Sequence, residues 1–195
     1  MPVIQLIVGL GNPGSEYAPT RHNAGFWFVD ELAGRCQQAF RAESRLHSVV
    51  ARCLLEGREC RLQKPQTFMN RSGQAVAALM QFFKIPVDAV LVVHDELDLP
   101  VGSIKLKTGG GHGGHNGLRD LIEQLGSREF HRLRVGIGHP GHKDQVVDYV
   151  LKKPSQEDRK LIDAAVYDAL AVIPDLVAGH MDKAMQTLHR RNNQV

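Results

Sequence analysis

The chain has 195 residues, 43% of them hydrophobic and 23% charged, an ordinary globular composition that excludes wholesale disorder and a fibrous repeat. A formal net charge of +3 permits a polyanionic partner without demanding one. The three cysteines, Cys36, Cys53 and Cys60, form no Cys-x-x-Cys pair, so neither a zinc ribbon nor a disulfide framework is expected and a reducing cytoplasm fits.

The apolar residues 3–8 read as a buried strand, too short for a signal peptide or, like every other apolar run here, for a membrane span of ~20 residues. The strand runs into Gly9-Leu10-Gly11-Asn12-Pro13-Gly14 and then, past Tyr17 and Pro19, into Thr20-Arg21-His22-Asn23-Ala24-Gly25. A helix is expected from near Asn23, with Phe28, Leu32, Cys36 and Phe40 at helical spacing. Residues 48–55 and 59–63 read as two strands of a hairpin turned at Gly57.

Lys64-Pro65-Gln66-Thr67-Phe68-Met69-Asn70-Arg71-Ser72-Gly73 leads into a second helix, whose core face is Val76, Leu79, Met80 and Phe83. Asn70 and Ser72 both suit its N-cap. The continuous apolar run 90–93 predicts a central strand buried on both faces, and it ends abruptly in His94-Asp95-Glu96. Residues 104–107 alternate like a half-exposed strand and meet the glycine-rich stretch Thr108-Gly109-Gly110-Gly111-His112-Gly113-Gly114-His115-Asn116-Gly117. A helix with Leu118, Leu121, Ile122 and Leu125 follows, then a strand over 133–137 flanked by Arg132 and Arg134.

Val146, Val147, Val150 and Leu151 form a short helical patch, and Ser155-x-x-Asp158 resembles a capping box for a longer helix. Pro174 breaks or kinks that helix, and a basic amphipathic end carries Lys183, His189, Arg190 and Arg191. With no repeat, low-complexity tract or linker, residues 1–195 read as one α/β domain. The expected fold is a three-layer α/β/α sandwich around a mixed, mostly parallel twisted sheet.

Sites in open α/β sheets lie outside the carboxyl ends of strands, which directs attention to the loop after the first strand. Its Gly-x-Gly-x-x-Gly matches a dinucleotide fingerprint, but a helix should open at the third glycine, and here 15–21, with Pro19 inside it, intervenes. The acids near the ribose-binding distance, Asp30 and Glu31, fall inside the helical pattern instead. A metal reading rests on ten histidines, His112-x-x-His115 and His94-Asp95-Glu96, yet structural zinc wants four ligands at defined spacing. No metal and no cofactor is expected. Acid–base chemistry suits the residues better. His22 is the candidate base, and Asp95, at the end of another strand, is its candidate orienter. Without a serine in Gly-x-Ser-x-Gly or a loop cysteine, the nucleophile would be water.

Four motifs in order now resemble bacterial peptidyl-tRNA hydrolases over nearly the whole chain. They are Gly9 to Gly14, Thr20 to Gly25, Lys64-Pro65-x-Thr67-Phe68-Met69-Asn70-x-Ser72-Gly73, and His94-Asp95-Glu96-Leu97-Asp98 continuing into Gly109 to Leu118. The resemblance implies hydrolysis of the ester between a peptide and the 3′-terminal ribose of tRNA, which recycles tRNA from prematurely released peptidyl-tRNA. His22 would take a proton from water and Asp95 would orient it. Asn12 would help to separate N-blocked from free aminoacyl-tRNA, Asn70 and Asn116 would bind the peptide backbone and the reacting carbonyl, and Tyr17 and Phe68 would line the groove. Lys107 and Arg134 would clamp a phosphate, with Lys105, Arg132, Arg190 and Arg191 as further basic candidates.

The asparagines also make sense without the family, since a neutral amide donates to a developing oxyanion and reads backbone rather than side chain. For His115 a structural role in shaping the loop is the expectation. A cytoplasmic monomer is expected, with peptidyl-tRNA as its partner, no membrane and no obligate protein partner. The rival is a catalytically silent RNA-binding protein on the same fold, for which plant organellar splicing factors resembling the family are the precedent.

Overall fold

The computed structural model describes residues 3–193. Its pivot is β1 (Leu6–Gly9), every residue of which is buried. The chain continues through α1 (Ala24–Arg35), β2 (Arg41–Glu43), β3 (Ser48–Leu55), β4 (Arg58–Pro65), α2 (Ser72–Phe83), β5 (Val90–Glu96) and β6 (Ile104–Thr108). It then forms α3 (Asn116–Leu125), β7 (His131–Gly136), α4 (Val146–Val150), α5 (Gln156–Leu170), α6 (Ile173–Val177) and α7 (Met181–Asn192).

The seven strands form one sheet in the order β2-β3-β4-β1-β5-β7-β6. β1 pairs in parallel with β4 on one side and β5 on the other, and β5 pairs in parallel with β7. The antiparallel contributions are the β3–β4 hairpin, the edge strand β2 and the edge strand β6. The hairpin turns through Glu56 and Gly57 at φ 49° and 72°. Two successive positive φ values give the turn whose twist matches that of the strands.

The core divides by sheet face. Ile7, Leu91, Val93, Leu133 and Val135 meet α1, α5, α6 and α7, whereas Leu6, Val8, Val90 and Val92 meet α2 and α3. Burying one such side chain is worth about 1.5–3 kcal/mol, so these two layers hold the sheet. The expected three-layer sandwich is observed.

Some local expectations need correction. The first strand begins at Leu6 rather than at residue 3. α1 stops at Arg35, because Gln37 turns left-handed at φ 54°, so Phe40 lies beyond the helix. Neither Asn70 nor Ser72 caps α2. A 3-10 turn, Met69–Arg71, runs directly into the helix, and the Ser72 hydroxyl donates back to the Met69 carbonyl. Ala75 is fully buried on α2, while Met80 and Phe83 are only partly covered. Ser155 does cap α5 by accepting the Asp158 N–H, and the break ahead of Pro174 separates α5 from α6. β2 went unanticipated because its residues are all exposed and carry no apolar alternation.

The glycines of the first loop have a packing reason. A Cβ on Gly25 would come within 2.3 Å of the Val93 carbonyl oxygen and 2.5 Å of the Leu10 nitrogen, and one on Gly9 within 2.3 Å of the Gly25 oxygen. The start of α1 therefore rests against the ends of β1 and β5. α1 opens only at Ala24, well past Gly14, so no helix N-terminus meets the third glycine as the dinucleotide fingerprint requires.

Candidate active site

The chain leaves β1 toward β4 on one side and later crosses to β5 on the other, so the carboxyl ends of β1, β4 and β5 border one crevice. Each contributes an exit loop. The loop after β1 brings Asn12 and His22, the loop after β4 brings Phe68, Met69 and Asn70, and β5 ends in Asp95 and Glu96. With Leu97, the segment Gly114 to Asn116, and Val146, Val147, Val150 and Leu151 of the α4 region, they line a cleft of about 270 Å³.

His22 sits in a 3-10 turn, Arg21–Asn23, where successive side chains diverge by about a third of a turn. Its Nδ1 donates to Asp95 Oδ2 at 2.9 Å, because a carboxylate only accepts. When the ring is neutral, Nε2 therefore keeps its lone pair. The next residue, Asn23, locks the first loop by accepting the Asn12 N–H and donating to the Asn12 carbonyl, both at 2.9 Å.

Asn12 is buried, and its Oδ1 accepts the Met69 N–H at 2.7 Å. That contact fixes the amide orientation, since a backbone N–H cannot donate to Nδ2. The Nδ2 donor is left for the cleft.

Asp95 is buried and carries two imidazoles. Its second oxygen, Oδ1, accepts from His115 Nε2 at 2.8 Å. His115 Nδ1 in turn accepts the N–H groups of Gly117 and Leu118 and so caps α3. These acceptor contacts place the His115 proton on Nε2. His115 thus shapes the loop as expected and also fills half of Asp95, a contact missed in the sequence because nothing in a glycine-rich run shows where its histidine points.

Burial opposes charge on His22, but the Asp95 carboxylate and its hydrogen bond outweigh burial and raise the His22 pKa above its ordinary value. Burial likewise opposes charge on Asp95, yet its two histidine partners hold its carboxyl well below the usual carboxylate range.

The other expected residues fall around this centre. Phe68 is 59% exposed on the rim, with the half-buried Tyr17 edge-on behind it at 6.1 Å between ring centroids. Tyr17 does not itself line the cleft. Asn70 and Asn116 are exposed and line it. Asn116 Oδ1 accepts from Arg119 at 3.3 Å.

Lys107 and Arg134 lie apart from this cleft. They line a second cavity of about 280 Å³ on the other side of the glycine-rich loop, together with His94, Glu96, Asp98 and Arg132. Arg134 faces Glu96 at 3.5 Å. Arg132 is buried and donates to the Gly110 and Gly111 carbonyls, so it organises the loop and is not free for a phosphate. Arg191 pairs with Asp168 at 3.1 Å.

The histidines that suggested a metal do not gather as the motifs implied. His112 Nδ1 accepts the Gly114 N–H, and His94 Nδ1 donates to the Asp95 carbonyl. Among the described residues the one group with metal-ligand spacing is His22, Asp95 and His115, whose ligating atoms lie within 4.8 Å of one another. Those atoms are committed to the two hydrogen bonds just described. Cys53 and Cys60 offer no nucleophile, since burial pushes the Cys60 thiol up to about 12 and raises Cys53 as well.

Comparison with known proteins puts a family on this geometry. The family model described as peptidyl-tRNA hydrolase matches residues 6–195. A peptidyl-tRNA hydrolase of Halorhodospira halophila is 58% identical over 185 residues, covering 95% of each chain. One of Neisseria meningitidis is 56% identical over 188 residues, covering 96% of this chain and 98% of that one. The crystal structure of peptidyl-tRNA hydrolase from Acinetobacter baumannii superposes with a TM-score of 0.93 at 50% identity, over 95% of this chain and 94% of that one. A purine nucleoside phosphorylase of Toxoplasma gondii, 7% identical with a TM-score of 0.53, is similar in fold alone.

Proposed function

The chain belongs to the peptidyl-tRNA hydrolase family, a family of hydrolases acting on ester bonds, and from that premise we propose that His22 activates the attacking water. The substrate is the ester between a peptide, or any N-blocked aminoacyl group, and the 3′-terminal ribose of tRNA. The observation that carries the reading is the 2.9 Å hydrogen bond from His22 Nδ1 to the buried Asp95. It leaves Nε2 as the proton acceptor, and Asp95 stabilises the imidazolium as it forms.

Asn12 has a directed role in this scheme. With Oδ1 held by Met69, Nδ2 donates to the carbonyl oxygen that becomes negative, or to the peptide next to it. Because Asn12 hydrogen-bonds backbone rather than side chain, it helps to accept every peptide sequence while separating N-blocked from free aminoacyl groups. Asn70 and Asn116 bind the peptide backbone from the rim, and Phe68, backed by Tyr17, flanks the peptide or the terminal adenosine. Lys107 and Arg134 hold a tRNA phosphate across the glycine-rich loop, which gives affinity without reading sequence. The biological role is recycling of tRNA, by a cytoplasmic monomer that needs no metal. No helix among the described residues is long and apolar enough to cross a membrane.

Deacylation of N-acetyl-aminoacyl-tRNA tests the reading. Turnover is expected in the presence of chelator, and His22→Ala should lower kcat by about 10³-fold or more while tRNA still binds. A wild type that binds tRNA and never turns over returns the silent RNA-binding protein. Loss of activity on chelation returns the metal.

A further inference from the structure

In the turn Thr20-Arg21-His22-Asn23, three side chains have been accounted for within the first loop and the cleft. The Thr20 hydroxyl donates to the Tyr17 carbonyl, His22 meets Asp95, and Asn23 locks Asn12. Arg21 points elsewhere. Its backbone N–H donates to the Lys152 carbonyl at 3.0 Å, and its Nη1 donates to the carbonyls of Tyr149, at 3.0 Å, and Lys152, at 3.3 Å. Its guanidinium carbon lies 3.9 Å over the Tyr149 ring. All four contacts hold the carboxyl end of α4, where unsatisfied carbonyls and the helix dipole favour a cation.

Beyond Arg21, α4 is held from below, by Val150 in the core and by Val146 and Tyr149 packed partly against it. It spans five residues, of which Val150 alone is buried, and residues 141–145 before it are all exposed. Tyr149 adds one anchor, a hydrogen bond from its hydroxyl to the Ile137 carbonyl. The outer face of this short helix forms an apolar lip. Of the seven exposed large hydrophobic side chains among the described residues, three line the cleft: Val147 at 64% and Leu151 at 39% on the α4 side, and Phe68 at 59% opposite. Apolar side chains left open on both rims of a catalytic cleft fit an apolar ligand in continuity with it.

We infer that Arg21 is a positioning residue that fixes the apolar α4 lip relative to His22, and that the lip gives the enzyme a preference for peptides with apolar side chains next to the ester. The inference rests on the proposed ester hydrolysis. The same turn then carries the proton acceptor and the tether of the side-chain subsite, so the distance between chemistry and recognition is set by one peptide bond. Backbone contacts of the asparagines keep every peptide acceptable, and the lip grades them.

The test compares N-acetyl-dileucyl-tRNA with N-acetyl-diglycyl-tRNA. Wild type should favour the leucyl ester. Arg21→Ala should lower kcat/KM for that ester about tenfold, mainly through KM, and for the glycyl ester about twofold, with the acid limb of the pH profile in place. Arg21→Lys, which keeps a cation but cannot bridge two carbonyls from a planar fork, should fall between. Val147→Ser with Leu151→Ser should reproduce the selective loss, and adding Arg21→Ala to that pair should cost little more. Equal losses on both esters, or a shifted pH profile, would assign Arg21 to the His22 turn alone and overturn the inference. Full additivity with the lip variant, or a wild type indifferent to the two esters, would overturn it too. A wild type that cleaves neither ester counts against the proposed reaction instead.

Discussion

At the end of β5 two neighbouring residues face two different cavities. Asp95 looks into the cleft on the α1 side of the sheet, and His94, one residue earlier, faces the cationic pocket on the α3 side. In the cleft the atoms that hold the geometry all have partners, namely both Asp95 oxygens, His22 Nδ1, both His115 nitrogens and Asn12 Oδ1, and only His22 Nε2 and Asn12 Nδ2 of these side chains are left to act. In the pocket the commitments are partial: Arg132 holds the loop carbonyls with its Nη1 and Nη2, and Arg134 faces Glu96 at 3.5 Å. His94 Nε2, Arg132 Nε and Arg134 Nε are buried without a partner, and Lys107 is exposed. Chemistry needs atoms fixed to a fraction of an ångström, which a saturated network provides. Holding a polyanion needs charge and open valences, which a saturated network would have removed.

The largest expected effect breaks the saturated side. Asp95→Asn should lower kcat by about 10³- to 10⁴-fold with a much smaller change in KM, since the orienting carboxylate is lost while the cleft keeps its shape. The pH profile sharpens the point. Asp95 raises the His22 pKa, and a base must be unprotonated to act, so the acid limb of wild-type kcat/KM should lie above pH ~6.5. In the variant burial acts unopposed, and that limb should move to lower pH. An unchanged rate would remove Asp95 from the mechanism.

The open side should respond differently in kind. Lys107→Ala and Arg134→Ala should each raise KM about 5- to 10-fold, leave kcat within about twofold, and reduce the slope of log KM against log salt by ~0.7–0.9 per charge removed. Arg134→Ala should do less, because Glu96 already faces that guanidinium at 3.5 Å. A fall in kcat with constant KM would place these residues with the catalytic network.

The division between the two sides also marks what the sequence could convey. The sandwich, the hairpin and the buried central strand were legible because apolar runs and turn residues act locally. His22 and Asp95 stood out because each interrupts a structural pattern with a chemically useful group at a strand's end. Their pairing followed only from putting both strands at the centre of one sheet. The Asp95 contact of His115 and the loop-holding contacts of Arg132 went unseen for one physical reason, that those partners are distant in the chain. An arginine flanking a strand reads as phosphate-binding until the loop carbonyls it holds are seen. Phe40 and the α2 cap failed on single-residue backbone choices, the left-handed Gln37 and the 3-10 entry at Met69–Arg71.

The smallest effect concerns stability and sets His94 against His22. Burial, with the nearby His115, pushes the His94 pKa down to about 3. Between that value and the unfolded value near 6.5, the unfolded chain binds one proton more than the native chain does at this site. Stability must therefore fall as pH drops through this window, by up to about 1.4 kcal/mol per pH unit from His94 alone. His22 has the opposite sign: its pKa is raised, so its contribution is complete below the unfolded value and fades as pH rises through the native one. His94→Asn retains an amide N–H that can reach the Asp95 carbonyl, as Nδ1–H does now, and removes the titrating ring. Denaturant unfolding from pH 4 to 8 should show the variant less stable near neutrality, by about 1–2 kcal/mol for lost packing, with a flatter decline toward acid. Parallel curves for variant and wild type would mean that His94 is already free to ionise in the native protein, and that the pocket side of β5 is wetter than its burial implies.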